Sequence, residues 1–253
     1  MSVKISLILI SAALFVCVLS GCKKADTSSD AKSSDILTVD DIGGNTPTPV
    51  IAPEIKLKEV KPAKKPESES IVCTMRASDA DAFFAVQTCA VRGTVSKVRE
   101  YCVQESYEGE AESKFYFSVL SVRVDEKYGE ADLKYRKGGV IYVRYRQNTH
   151  DRTEGYPDLG KGDTCILFLQ DIAVDPPIFM SLEKAVYDYD MVYPEQSVIL
   201  KTANGYDAQE FMALFGKQER YYKLSEIEKV ITKNADKMKG KSYMDIMFSN
   251  GVD

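Results

Sequence analysis

Four apolar segments between Ala90 and Ile172 constrain the fold of this chain more than any other feature. They read AVRGTVSKVREYCV, FYFSVLSVRV, VIYVRY and TCILFLQDI. β-Branched and aromatic residues dominate these segments, and Gly-containing turns precede the last two, which is typical of antiparallel strands. The continuous apolar run of the fourth segment indicates a strand that is buried on both faces. This block therefore predicts a β-sheet at the core of the folded part.

The alternation of side chains changes phase within the first strand. Val91, Gly93 and Val95 share one parity, whereas Val98 and Cys102 share the other. A β-bulge between the two phases would explain the slip, and a glycine would let the strand bend. The second strand shows the same change of phase. Two long strands that swap faces midway predict a strongly coiled small barrel rather than a flat sandwich.

The strand block also resembles a known type of domain. The segments VRGTVSKV, FSVLSVRV, GGVIYVRY and LGKGDTCILFL, within residues 90–172, resemble the OB-like β-barrel of secreted and lipid-anchored bacterial proteins of unknown function. The resemblance implies a mainly β (α+β) fold: a small coiled barrel with an N-terminal helix and two C-terminal helices. OB folds bind oligonucleotides or oligosaccharides on a strand face and adjoining loops. The shared motifs are turn and core residues, so they imply no catalytic group.

Elements on either side of the block follow from caps and periodicity. Ser78, followed by two aspartates, reads as the N-cap of a short helix through Phe83. Residues 178–182 and 197–202 each have the pattern of a strand, the second of which would close the barrel. Two further helices are predicted, one over residues 207–215 and one capped by Ser225.

The first 22 residues are typical of an export signal. Lys4 precedes an apolar stretch, residues 5–18, that is short for a membrane span, and Leu19-Ser20-Gly21-Cys22 follows. This pattern resembles the lipoprotein signal of bacteria, whose lipobox ends in a cysteine. The resemblance implies cleavage before Cys22, acylation of Cys22 with palmitate-type chains, and attachment to a membrane at the cell envelope, outside the cytoplasm. The alternative is an ordinary cleaved signal with an incidental cysteine.

Composition divides the rest of the chain. Residues 22–70 are small, polar and rich in Pro and charge, so they are expected to be a lipid anchor and disordered tether between a signal peptide (residues 1–21) and one folded domain (residues 71–253). Lysines in the tether allow a second interpretation, contact with anionic lipid or wall polymer. The formal net charge of -5 makes nucleic acid an unlikely partner.

Cysteines offer a disulfide framework in an exported domain. After loss of the leader and acylation of Cys22, four remain: Cys73, Cys89, Cys102 and Cys165. The OB-like arrangement, in which strands one and four are antiparallel neighbours, implies that Cys102 pairs with Cys165 and leaves Cys73 to pair with Cys89. Free thiols are the alternative. No pair has the spacing of a zinc site, so no metal is expected.

Motifs of the common catalytic classes are absent from the sequence. His150 is the only histidine, and no GxSxG, Walker or GxGxxG motif occurs. Carboxylates are numerous, so an envelope hydrolase that uses two of them is an alternative function, but no pair stands out. No cofactor is predicted, and the chain is not expected to be an enzyme.

Two surface clusters are candidates for ligand binding. The first alternates along the third strand and continues just beyond it, and it offers cations and aromatic planes to a polyanion or a sugar: Tyr142, Arg144, Arg146, His150, Arg152 and Tyr156. A polar outer strand face is the alternative interpretation. The second is acidic and aromatic and suits calcium or a glycan: Tyr187, Asp188, Tyr189, Asp190 and Tyr193, with Asp171 and Asp175 upstream.

These observations predict a lipid-anchored envelope protein that acts as a non-catalytic binding or interaction module. The membrane, through the lipid on Cys22, is one partner, and a glycan or another envelope protein is the other. A purely structural envelope component is the remaining alternative.

Overall fold

Strands are the main secondary structure of this protein. The computed structural model describes residues 54–66, 68–70, 76–106, 112–174 and 186–242. The strands are β1 (Glu54–Val60), β2 (Ser68–Ser70), β3 (Cys89–Ser106), β4 (Ser113–Tyr128), β5 (Val140–Tyr145), β6 (Asp151–Thr153), β7 (Thr164–Asp171), β8 (Tyr189–Asp190), β9 (Val198–Thr202), β10 (Gly205–Asp207) and β11 (Tyr221–Tyr222). The α-helices are α1 (Ala80–Val86), α2 (Pro194–Ser197), α3 (Gln209–Ala213) and α4 (Leu224–Lys233), and a 3₁₀ turn covers Ala235–Lys237. The fold is therefore mainly β with accessory helices, as the sequence predicts.

Five strands form a circuit of pairings, which we call the strand ring. Its order is β3, β4, β5, β8, β7 and back to β3. The β5–β8 pair is parallel and joins Val143 to Tyr189, whereas the other four pairs are antiparallel. The large sheet continues beyond the ring through β1 on one side and β9, β10 and β11 on the other, and β2 pairs separately with β6.

The change of phase predicted in the first strand is a pair of irregularities in the β3–β4 register. The register shifts between Arg92 and Gly93 and again between Val95 and Lys97. Beyond the second shift, Val98 packs against the interior cluster and Lys97 is exposed. Because of the bulge, residues of opposite parity in the two halves of β3 face the interior, as expected where a strand bends strongly.

The hydrophobic residues divide into an interior cluster and two clusters outside the ring. Leu167 and Leu169 of β7 belong to the interior cluster, whereas Ile166 and Phe168 belong to a second cluster shared with the helices. Both faces of β7 are thus buried, which confirms the interpretation of its continuous apolar run. The third cluster lies on the outer face of β3 and β4 and contains Tyr101, Val103, Phe117, Val119, Ile172 and Tyr187.

The helices α1, α3 and α4 pack on the second cluster. The side chain of Asp79, not Ser78, caps α1, because its Oδ1 accepts a hydrogen bond from the Ala82 amide at 2.8 Å. Helix α4 begins at Leu224, before the expected cap Ser225, and its buried Ile227 and Ile231 lie four residues apart on one face. None of the helices in the described parts of the chain is long and apolar enough to cross a membrane.

Two segments differ from the sequence-based expectation. Residues 54–60, assigned to the tether, form β1 and pair with β3 from Glu54–Ser106 to Val60–Glu100. From Glu54 to Lys58 this charged segment alternates between exposed and half-buried residues, and Ile55 and Leu57 pack against the third cluster. Residues 198–202 do not close the ring. They form β9, which pairs with β7 outside the ring, and the ring is closed between β5 and β7 by the two residues of β8 instead. Such a short strand carries no alternation to detect.

The expected strand at residues 178–182 lies outside the described residues, as do the signal, the lipobox and Cys22.

Candidate functional site

Cross-strand register aligns two arginines on the outer face of the strand ring. Arg99 of β3 lies opposite Val119 of β4, and Val119 lies opposite Arg144 of β5. Directly opposed residues of a sheet share a face. Their neighbours Val98, Leu120 and Val143 pack in the interior, so the row points outward. We call the group formed by Arg99, Arg136, Tyr142 and Arg144, together with the buried Tyr187 ring against Arg144, the arginine face.

Tyr142 is the centre of this face. The guanidinium carbon of Arg99 lies 4.7 Å from the centre of the Tyr142 ring, and that of Arg136 lies 5.7 Å from it. Both distances fall within the range of cation–π attraction. One aromatic ring of β5 therefore contacts two cations from different elements.

Carboxylates of the Tyr-Asp-Tyr-Asp segment neutralise two of the three arginines. Asp188 accepts hydrogen bonds from Nε and Nη2 of Arg136 at 2.7 and 2.8 Å. Asp190 forms an ion pair with Arg144, whose guanidinium carbon also lies 5.3 Å from the centre of the Tyr187 ring. Parts of the two sequence clusters, predicted as separate sites, are therefore brought together in one network.

In the parts of the chain that the structure describes, no carboxylate pairs with Arg99. Its Nε and Nη2 atoms are buried, and nothing in the described parts of the chain accepts a hydrogen bond from either of them. Burial raises the pKa of the neighbouring Tyr101 hydroxyl, and the positive charge of Arg99 opposes this rise. A buried donor without an acceptor has a cost of about 1–3 kcal/mol, more for a charged group. Among the described residues, the arginine face therefore contains one cation that no carboxylate neutralises.

The remaining residues of the first predicted cluster lie elsewhere. Arg146 follows β5 and is exposed, and Arg152 is exposed and forms an ion pair with Asp158. Tyr156 is buried against Tyr145, with 6.3 Å between ring centres, and burial raises the pKa of its hydroxyl. The structure thus brings Tyr142 and Arg144 together, but not with Arg152 or Tyr156.

His150 belongs to a different contact. Its ring stacks on Tyr116, with ring centres 4.4 Å apart, and its Nε2 lies 2.9 Å from the carbonyl oxygen of Lys61. Its side chain is therefore held between the sheet and the segment that follows β1.

The acidic cluster does not form a cation site among the described residues. Lys134 Nζ donates to Asp171 at 2.6 Å, and no group of three or more potential metal ligands occurs in the ranges that the structure describes. The rings of Tyr187, Tyr189 and Tyr193 are buried in the hydrophobic clusters. Asp175 lies outside the described residues.

The structure does not bring Cys102 and Cys165 together. Cys165 lies opposite Gly93 of β3, whereas Cys102 lies further along β3, opposite Lys58 of β1. Cys89, Cys102 and Cys165 are all buried, and no disulfide joins any two of them. The Cys73–Cys89 pairing cannot be followed, because Cys73 lies outside the described residues.

Stability is expected to fall at alkaline pH because burial raises the pKa of two of these thiols. Burial raises the pKa of Cys89 and of Cys165 from 9.0 to about 12. The unfolded chain loses these protons first, so the free energy of unfolding is intact below pH about 9 and decreases as the pH rises toward about 12. Urea titrations between pH 8 and 11 test this. A Cys89→Ala/Cys165→Ala variant should show a shallower decrease, and an equally steep one contradicts the prediction.

Sequence reasoning missed Arg99 and Arg136. Arg99 lies in the half of β3 beyond the bulge. Counting alternate residues from the first half of the strand would place its side chain on the inner face, whereas it lies on the outer face. Arg136 precedes β5 in a turn and reaches Tyr142 only through the fold. The alternation of Lys97 and Arg99 around Val98 was the one available signal.

Comparison with protein-family models, curated proteins and solved structures finds no match to this chain.

Proposed function

We propose that this protein is a lipid-anchored protein of the bacterial envelope that acts as a non-catalytic binding module. We further propose that it binds an anionic glycan or other polyanion on the arginine face. The observation that carries the proposal is the Arg99 guanidinium, which rests on Tyr142 and has two buried N–H groups for which the described residues provide no acceptor. An anionic group is the natural partner of such a cation.

We also propose that the strand ring is an OB-like barrel. Two features support this: the circuit has five strands, and its fourth and fifth strands along the chain, β7 and β8, exchange places in the ring. OB folds are five-stranded, partly open Greek-key barrels that bind ligands on strands two and three. In this ring these are β4 and β5, the strands that bear Tyr142 and Arg144. The location of the arginine face thus agrees with binding by this type of domain.

The anchor rests on the sequence alone. The lipobox-like Leu19-Ser20-Gly21-Cys22 supports acylation of Cys22 and attachment to the membrane. Metabolic labelling with a palmitate analogue should mark the wild-type protein and not Cys22→Ser; labelling of both would contradict the proposal.

Arg99→Met is expected to weaken ligand binding without destabilising the fold. Methionine keeps an apolar stem over Tyr142 and removes the buried donors that lack acceptors. Thermal shifts of the full-length protein against cell-wall glycans, other oligosaccharides, single-stranded oligonucleotides and Ca²⁺ identify the ligand. Its affinity is then compared between variants, and we expect a loss of about tenfold or more for Arg99→Met.

The matched control is Arg123→Met, which removes an exposed arginine of β4 that takes no part in the arginine face. It should bind like the wild type. Two results contradict the proposal: equal binding by Arg99→Met and the wild type, or no ligand in the whole panel. A marked loss of stability in Arg99→Met would instead assign Arg99 a structural role.

A further inference from the structure

A cleft of about 620 Å³ is lined by none of the tyrosines and arginines that define the arginine face. Its walls come from the middle of β3, the end of β5 with the segment that follows it, residues 158–161, and the segment after β1. We call this last segment, residues 61–66, the strap. Small-molecule sites typically have volumes of about 300–1,000 Å³, so this cleft has the size of a ligand site.

The strap is held in place by a buried carboxylate. Ala63 N donates to Thr149 Oγ1 at 2.7 Å, and Thr149 Oγ1 donates in turn to Glu100 Oε2 at 2.7 Å. Glu100 Oε1 accepts from Thr149 N at 2.8 Å, and Glu100 is 5% exposed. His150 adds the contact to the carbonyl of Lys61. The cleft therefore has a fixed wall where the sequence predicted a free tether.

The charges that line the cleft are mostly positive. Lys64, Lys97, Arg152 and Lys161 line it, against Glu100 and Asp158. Asp158 is paired with Arg152, and Glu100 is occupied by Thr149. In the parts of the chain that the structure describes, the three lysines form no ion pair. A surplus of positive charge in one concavity of a chain with net charge -5 favours an anionic occupant.

The other polar groups of the lining are already satisfied. Gln147 Nε2 donates to Asp158 at 3.2 Å, and Gln147 Oε1 accepts from Thr153 N at 2.8 Å. Asn148 Nδ2 donates to the carbonyl of Arg146 at 3.0 Å. The rest of the lining is apolar, with Pro62, Pro66, Val98 and Leu159. The anionic group of a ligand would therefore pair with the lysine amines, and the rest of the ligand would contact the apolar wall.

We propose that this cleft binds a small organic anion, a carboxylate or phosphate attached to an apolar body. The lysines attract and hold the anionic group, and the apolar wall accommodates the remainder. We treat the site as separate from the arginine face, because none of the residues that define that face lines the cleft, whose lysines Lys64 and Lys161 belong to the strap and to the loop before β7.

The test measures binding of benzoate, phenyl phosphate and neutral benzamide to the full-length protein by calorimetry at low salt. Benzoate or phenyl phosphate should bind with a dissociation constant of about 1 mM or tighter, and benzamide should bind more weakly. The benzoate and phosphate arms tell which anion is preferred. The Lys64→Glu/Lys161→Glu variant should weaken anion binding by about tenfold or more, and added salt should weaken it as well.

The control is Lys201→Glu/Lys229→Glu, which makes the same change of net charge at exposed lysines that do not line the cleft. It should bind like the wild type, as should Arg99→Met, so failure of this site and failure of the arginine face can be told apart. If charge reversal unfolds the protein, Lys64→Gln/Lys161→Gln replaces it. Three results would overturn the proposal: neither anion binds, benzamide binds as tightly as the anions, or the two charge-reversal variants lose the same amount of anion affinity.

Discussion

Phe168→Ala is expected to lower the free energy of unfolding by about 3–5 kcal/mol. Phe168 is fully buried and lies at the centre of an aromatic cluster that joins β7 to α1 and α3. Its ring centre lies 4.9 Å from that of Phe83, 5.8 Å from that of Phe84 and 4.9 Å from that of Phe211. Truncation removes these contacts and leaves a cavity between two elements that cannot close on each other freely.

Urea denaturation followed by circular dichroism measures this loss. Phe115→Ala is the matched control, because the Phe115 side chain is 41% exposed and its removal should cost less than about 1 kcal/mol. Similar losses in the two variants would mean that the helices contribute little to the stability of the sheet. A large loss in Phe168→Ala alone supports one cooperative unit that contains the sheet and its helices.

Gly93→Ala is expected to destabilise the protein by about 3 kcal/mol although it adds a single methyl group. At the register shift of β3, a Cβ on Gly93 would overlap the carbonyl oxygen of Arg123 and lie 2.9 Å from Cγ1 of Val122. One of these atoms is backbone in a paired strand, so the clash cannot be relieved by a rotamer change. The bulge must open or the strand pair must move.

The same denaturation experiment tests this prediction. Gly160→Ala is the matched control, because its Cβ would meet only Oδ2 of Asp163, at an ordinary 3.7 Å. That change should alter stability by no more than about 0.5 kcal/mol. If Gly93→Ala is as stable as Gly160→Ala, the close approach at Gly93 does not constrain the bulge.

The candidate site was predictable in part. Alternation along β5 put Tyr142 and Arg144 on one face from the sequence alone, and the structure agrees. Arg152 and Tyr156 were grouped with them because they follow in sequence, but chain direction changes after β5, and they lie at the cleft and in the interior instead. Proximity in sequence is a guide to proximity in space only while a strand continues.

The sequence alone determined where the main strands lie, that β7 is buried on both faces, and that β3 slips in phase. These features follow from local alternation. Successive side chains of a strand point to opposite faces, so this period of two is visible in the order of the residues. Only the tertiary structure decided which strand completes the ring, that residues 54–60 join the sheet, and which cation of the arginine face lacks a carboxylate. Each depends on contacts between residues far apart in the chain, and their energies arise only when the chain is folded.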